Sequence, residues 1–108
     1  MSISAERMEK ALVYLAETDE PCANLRADME RAEFRAKATK DAIYKRLEGT
    51  VADRTAEAGA HPEYAAAMEK YFGFLSAWEH VRNKRSTESI VIDAWRSLNS
   101  SRTKGIIQ

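Results

Sequence analysis

His61 and His80 are the only histidines and Cys22 is the only cysteine in the chain. A metal centre or a general base needs such groups clustered at fixed helical or loop spacings. His61 follows a Gly-Ala pair in a predicted turn and His80 lies inside a predicted helix, too far apart in the expected fold to share a metal. One cysteine excludes an intramolecular disulfide and a cysteine-based zinc cluster, and Cys22 reads as a small residue on a buried seam. No phosphate-binding glycine loop, nucleophile elbow, HExxH helix or calcium loop occurs. Glu17 with Glu20, or Glu30 with Glu33, has a spacing usable by a carboxylate metal site, but no Glu-x-x-His element accompanies either pair. Both pairs read as solvated faces. The expectation is a non-enzymatic protein with no catalytic residue, no metal, no cofactor and no small-molecule substrate.

The pattern that can do chemistry by binding lies at the far end. Arg82, Lys84 and Arg85, then Trp95 and Arg96, then Arg102 and Lys104 supply cations for phosphates and one aromatic ring for base stacking. These seven are the candidate nucleic-acid-binding residues. The competing reading pairs these cations with Glu6, Glu9, Glu17 and Glu20 of an acidic start and makes Trp95 a core residue. The formal net charge is zero, so no global field draws the chain to polyanions or anionic membrane. The charge is nevertheless unevenly spread. Residues 1–20 hold two cations against five acids, and residues 80–108 hold six cations against two acids.

Those residues must be held by helices. A charged fraction of 31% with only 4 Gly and 2 Pro excludes a β-rich fold and fits long, exposed helices in one domain spanning 1–108. Ser2 or Ser4 caps a first acidic helix over 2–20, with Met8, Leu12 and Leu15 on one face. Pro21 then either breaks the helix, with Thr18 or Asp19 capping the next, or kinks a single long one. Over 21–48, Cys22, Leu25, Met29, Ala32, Ala36, Thr39 and Ile43 recur at alternating intervals of three and four, an alanine-rich heptad seam. Glu33–Lys37 and Asp41–Lys45 stand in the favourable acid-before-base order on the outer faces.

Gly49 and Thr50 stop that arm and cap a short apex helix over 50–59, with Asp53 completing an approximate capping box. Pro62 opens a second arm over 62–99, in which Tyr64, Ala67, Met68, Tyr71, Phe74, Leu75, Trp78 and Val81 form a broad apolar stripe. Gly73 inside that stripe suggests close packing. The stripe turns polar at Arg85 and Glu88 and resumes with Ile92, Trp95 and Leu98, and 100–108 reads as a flexible tail.

The fold class this implies is all-α: an elongated antiparallel helical hairpin, coiled-coil-like, with a short helix at the turn. A register in which residue i faces roughly 110 − i sets Ala32 near Trp78, Ala36 near Phe74, and Leu12 and Leu15 near Leu98 and Trp95. Large then meets small, as close packing requires. A two-layer hairpin leaves Tyr14, Phe34 and Phe72 off the seam, and a two-fold homodimer would bury them. No apolar run approaches the ~20 residues of a membrane span and no signal-peptide pattern opens the chain, which implies a cytoplasmic protein with no membrane partner.

Two segments, EGTVADR (Glu48 to Arg54) and IDAWRSLNSSR (Ile92 to Arg102), resemble small helical proteins encoded by tailed bacteriophages and prophages. In these a charged helix, a GTV-type turn and a terminal helix with a Trp-Arg-Ser element recur, a pattern covering about residues 20–102 here. The resemblance implies no catalytic residue. Such proteins are often encoded near replication and recombination functions, so it implies an accessory role in a bacterial host, touching DNA or a DNA-processing protein through the basic end. An inhibitor or scaffold that binds a host or phage protein through a helical face, without nucleic acid, is the alternative.

Overall fold

Alanine at alternating intervals of three and four allows two helix backbones to approach closely, and that is how this chain packs. The structure, a computed structural model, describes residues 2–107, with side chains through residue 102. Its elements are three helices: α1 (Ala5–Arg46), α2 (Val51–Ala60) and α3 (Pro62–Ile107). The fold is all-α and hairpin-like, as its sequence implies.

Helix α1 starts where Ser4 Oγ accepts the Arg7 N–H at 3.0 Å. It continues through Pro21, so the expected segments 2–20 and 21–48 are one helix of 42 residues. Proline inside a helix costs about 3 kcal/mol, and the long helical runs on either side offset that. Lys45 and Arg46 in the last turn suit the negative end of the dipole. There Arg54 of α2 donates from Nε and Nη2 to the Tyr44 carbonyl at 3.3 and 3.1 Å. Its guanidinium also lies 4.1 Å from the centre of the Tyr44 ring. Gly49 takes φ +119°, the left-handed conformation that lets the chain turn into α2. Thr50 Oγ1 then accepts the Asp53 N–H at 3.1 Å as the cap of α2.

Helix α2 runs one residue past Gly59 and closes on His61, whose N–H donates to the Ala58 carbonyl at 3.3 Å. The same residue opens α3. Its Nδ1 accepts the Glu63 N–H at 3.1 Å and its carbonyl accepts the Ala65 N–H at 3.1 Å. Helix α3 continues through Ile107, beyond the end expected at 99. The Lys104 side chain and Gln108, both part of the expected tail, lie outside the described residues.

The chain divides into two units, Ala23–Trp78 and the pairing of Met1–Cys22 with Glu79–Gln108. In the Ala23–Trp78 unit, α1 and α3 run antiparallel with α2 at the turn. Met29, Ala32, Ala36, Ile43 and Ala58 are buried there, and Ile43 is the only large side chain fully enclosed. One edge of this pair is closed by cations on rings, Arg26 at 6.0 Å from the Trp78 centroid and Lys40 at 5.4 Å from Tyr64. These contacts set the register. Tyr64 meets Lys40, not a residue near 46, and Phe74 shares a groove with Ala32, not Ala36, so the arms are offset by between one and two turns from the expected pairing.

Among the described residues of the other unit the buried apolar ones are Ala11 and Ile92, and Glu88 is buried too. Leu12, expected on the seam, is 45% exposed, and Leu12 and Leu15 share a groove with Ser89 and Ile92. Gly73 does not serve close packing: a Cβ built there meets nothing within 4 Å. No helix among the described residues is long and apolar enough to cross a membrane.

Candidate functional site

The expected basic end is part of the unit that pairs Glu79–Gln108 with Met1–Cys22, and the fold treats its cations unequally. Arg85 turns inward onto α1. Its Nη1 donates to the Leu15 carbonyl at 2.7 Å and to Thr18 Oγ1 at 2.7 Å, and Nη2 reaches Asp19 Oδ1 at 3.4 Å. Thr18 is held in turn by donating to the Tyr14 carbonyl at 2.7 Å. With three acceptors around it and a side chain 24% exposed, Arg85 is a clamp between helices. Lys84 lies 4.4 Å from the centre of the Tyr14 ring, so this cation too is engaged within the fold.

Trp95 is half-buried and its carbonyl accepts the Asn99 side-chain amide at 2.9 Å. Arg96 is 71% exposed and touches Asp93 at 4.0 Å, and Arg82 and Arg102 are exposed. At 3.6 residues per turn, Arg82 and Arg96 lie near one another around α3, while Lys84 and Arg102 lie about half a turn away. The buried Glu88 and Ile92 fall on the arc between these sets. Six of the seven predicted residues have described side chains: Arg82, Lys84, Arg96 and Arg102 flank the buried stripe, Arg85 and Trp95 lie within its arc, and the six do not form one cationic face.

The shortest salt bridge among the described residues of this unit has the opposite polarity from the charge pattern. Arg7, on the acidic segment, meets Glu88, on the basic one. Nη2 donates to Oε1 at 3.0 Å and Nη1 lies 2.7 Å from Oε2. The second contact is off the N–H axis, so Oε2 is ion-paired but otherwise has no hydrogen-bond donor in its buried position. The Arg7 hydrogen bond holds the Glu88 carboxyl below its ordinary value. Burial opposes this and the charges of Arg7 and Lys84 add to it. Glu6, expected to meet the basic end, instead pairs with Lys10 in its own helix at 3.6 Å. Nothing in the sequence pattern signals Arg7–Glu88, because each partner is a minority charge in its segment.

Two surfaces remain open. In the Ala23–Trp78 unit, the edge opposite the Arg26 and Lys40 lids holds a groove of about 330 Å3. Ala32, Ala66, Ala67 and Phe74 form its floor and Arg35 and Lys70 stand on its rim. Nearby on α1, Phe34 is 73% exposed. In the other unit, Glu6, Glu9, Lys10, Val13, Tyr14 and Glu17 line an exposed face of α1, on which Lys10 is paired with Glu6 and leaves Glu9 and Glu17 as its unpaired charges among the described residues. Among the described residues no three His, Cys, Asp or Glu side chains converge to hold a metal ion.

No family model matches the chain, and neither a curated protein nor a solved structure is significantly similar to it.

Proposed function

We propose that this chain is a non-enzymatic accessory protein, of the phage-encoded kind that EGTVADR and IDAWRSLNSSR resemble. It acts as a homodimer in the cytoplasm of a bacterial host and binds a protein partner through an apolar helical face. The supporting observation is the distribution of its bulky apolar side chains. Among the described residues alanine makes up four of the seven buried hydrophobic ones, while Phe34, Val51, Val13, Phe72 and Ile90 stay in solvent. Phe34, the most exposed of them, shares a surface groove with Ala27, Arg31 and Arg35, and this reading gives that surface to the partner. The test retains partners from nuclease-treated host lysate on the immobilised chain, in parallel with Phe34→Asp and Phe72→Asp. A partner held by the parent and lost by a helical, folded variant supports the reading. Equal retention by parent and variants overturns it.

DNA contact through the C-terminal end is the second reading, supported by the exposed guanidinium groups of Arg82, Arg96 and Arg102. Phosphate contacts weaken steeply with salt. A DNA mobility shift at low salt that is lost in Arg82→Ala/Arg96→Ala/Arg102→Ala supports it, and no shift by the parent protein removes it.

A further inference from the structure

We infer that the homodimer forms by seating the acidic face of α1 from one copy, Glu9–Val13–Glu17, in the alanine-floored groove rimmed by Arg35 and Lys70 of the other. The inference rests on the homodimer reading above and names the two surfaces it uses.

The groove argues first for a helix as its occupant. Ala32, Ala66 and Ala67 line it, side chains small enough for another helix to approach closely, with Thr39 and Phe74 beside them. The two edges of the same helix pair differ. On one, Arg26 and Lys40 are drawn over Trp78 and Tyr64. On the other, Arg35 and Lys70 are exposed and meet no carboxylate and no ring among the described residues. Glu63, the one acid lining the groove, is already paired with Arg46 at 3.2 Å. The groove thus presents apolar floor and unpaired positive charge together, which suits a helix with acids flanking an apolar residue.

Such a surface exists on the chain itself. Glu9, Val13 and Glu17 are spaced at intervals of four on α1 and so form one stripe. Val13 is 53% exposed, and neither Glu9 nor Glu17 forms an ion pair among the described residues. Val13 is a short, stiff knob that suits an alanine hole, with an acid one turn to either side to meet Arg35 and Lys70. Groove against groove is disfavoured, because it would set Arg35 and Lys70 against their own copies. Each copy carries both surfaces, which is the condition for making the contact twice across one two-fold axis.

Charge reversal on the full chain tests this, read by light-scattering mass at high protein concentration and low salt. All four positions are exposed on helices, and circular dichroism checks that each variant keeps its helical content. The parent is expected to be a dimer that weakens with salt. Glu9→Lys/Glu17→Lys alone and Arg35→Glu/Lys70→Glu alone are each expected to dimerise at least about tenfold more weakly. An equimolar mixture of these two variants is expected to recover the dimer mass, because each then presents the sign that the other requires. All four substitutions in one chain are expected to restore the homodimer. A dimer insensitive to both reversals, or a mixture that stays monomeric, overturns the docking while leaving homodimerisation in place. A monomeric parent overturns both.

Discussion

Arg7 of α1 and Glu88 of α3 face each other with Nη1 2.7 Å from Oε2 and Nη2 3.0 Å from Oε1, beside the buried Ala11 and Ile92. The pair joins residues 81 positions apart. It places a carboxylate in a largely buried position, where a charge persists only if it is met.

The consequence for acid stability has a definite sign. The Glu88 carboxyl is held low in the folded protein, chiefly by the Arg7 hydrogen bond, so the unfolded chain takes up its proton first as pH falls. Stability from the pair is fully present above the ordinary carboxyl value of the unfolded chain, 4.5, and is lost as pH drops through the lower folded value. Thermal melts from pH 6 downward should show Tm falling over this range, and falling less in Glu88→Gln. At neutral pH, Arg7→Ala should be less stable than Arg7→Ala/Glu88→Gln, since the single variant leaves a buried carboxylate without its partner. Parallel pH curves for parent and Glu88→Gln would show that the pair does not govern acid stability.

Arg85 should matter for its shape as much as its charge. A planar guanidinium can serve the Leu15 carbonyl, Thr18 Oγ1 and Asp19 together, whereas a lysine ammonium is a single point charge. Arg85→Ala should cost about 2 kcal/mol in urea unfolding, the scale of a charge-assisted hydrogen bond to a partly buried group. Arg85→Lys should recover less than half of that. A lysine variant as stable as the parent would reduce Arg85 to a generic surface cation.

The sequence made much of this framework legible. The interval pattern of Met29, Ala32, Ala36 and Ile43 is a direct consequence of helix geometry, and all four are buried. The Thr50 cap needed only one hydroxyl at the right offset, and Glu33–Lys37 forms at 3.2 Å as its order predicts. Seam selection failed where size misled: Leu12 outranks Ala11 in hydrophobicity, but the smaller residue takes the buried place. The expected register requires a symmetric turn, which this chain does not make. Arg54 folds α2 back onto the Tyr44 carbonyl, and the arms settle between one and two turns out of the expected pairing. Arg85 was legible as a cation but not as a clamp, because its acceptors include a main-chain carbonyl. No composition rule marks such an atom.

Gly73 should be replaceable with gain. Inside a helix, glycine loses more backbone freedom on folding than alanine does, by about 0.5–1 kcal/mol. Nothing in the structure requires its missing Cβ, since the space within 4 Å of that position is open. Gly73→Ala should therefore raise stability by this amount in denaturant unfolding. A loss of stability would mean that a neighbour occupies that space in solution, as in an assembled dimer, and dilution would then separate the two cases.

His61 should behave as a helix cap. Its N–H closes α2 on the Ala58 carbonyl while Nδ1 accepts the Glu63 N–H that α3 cannot satisfy within its own first turn. His61→Ala removes the side-chain acceptor and leaves the main-chain bonds possible, so its cost should be that of one lost cap, about 1 kcal/mol. His61→Asn, which keeps a short side-chain acceptor, should recover most of it. Because the loss is local to the α2–α3 junction, hydrogen exchange should report it there first, at the amides of Glu63 to Ala65, before global unfolding shifts. Unchanged exchange at those amides in His61→Ala would show that the solvent caps this helix as well as the imidazole does.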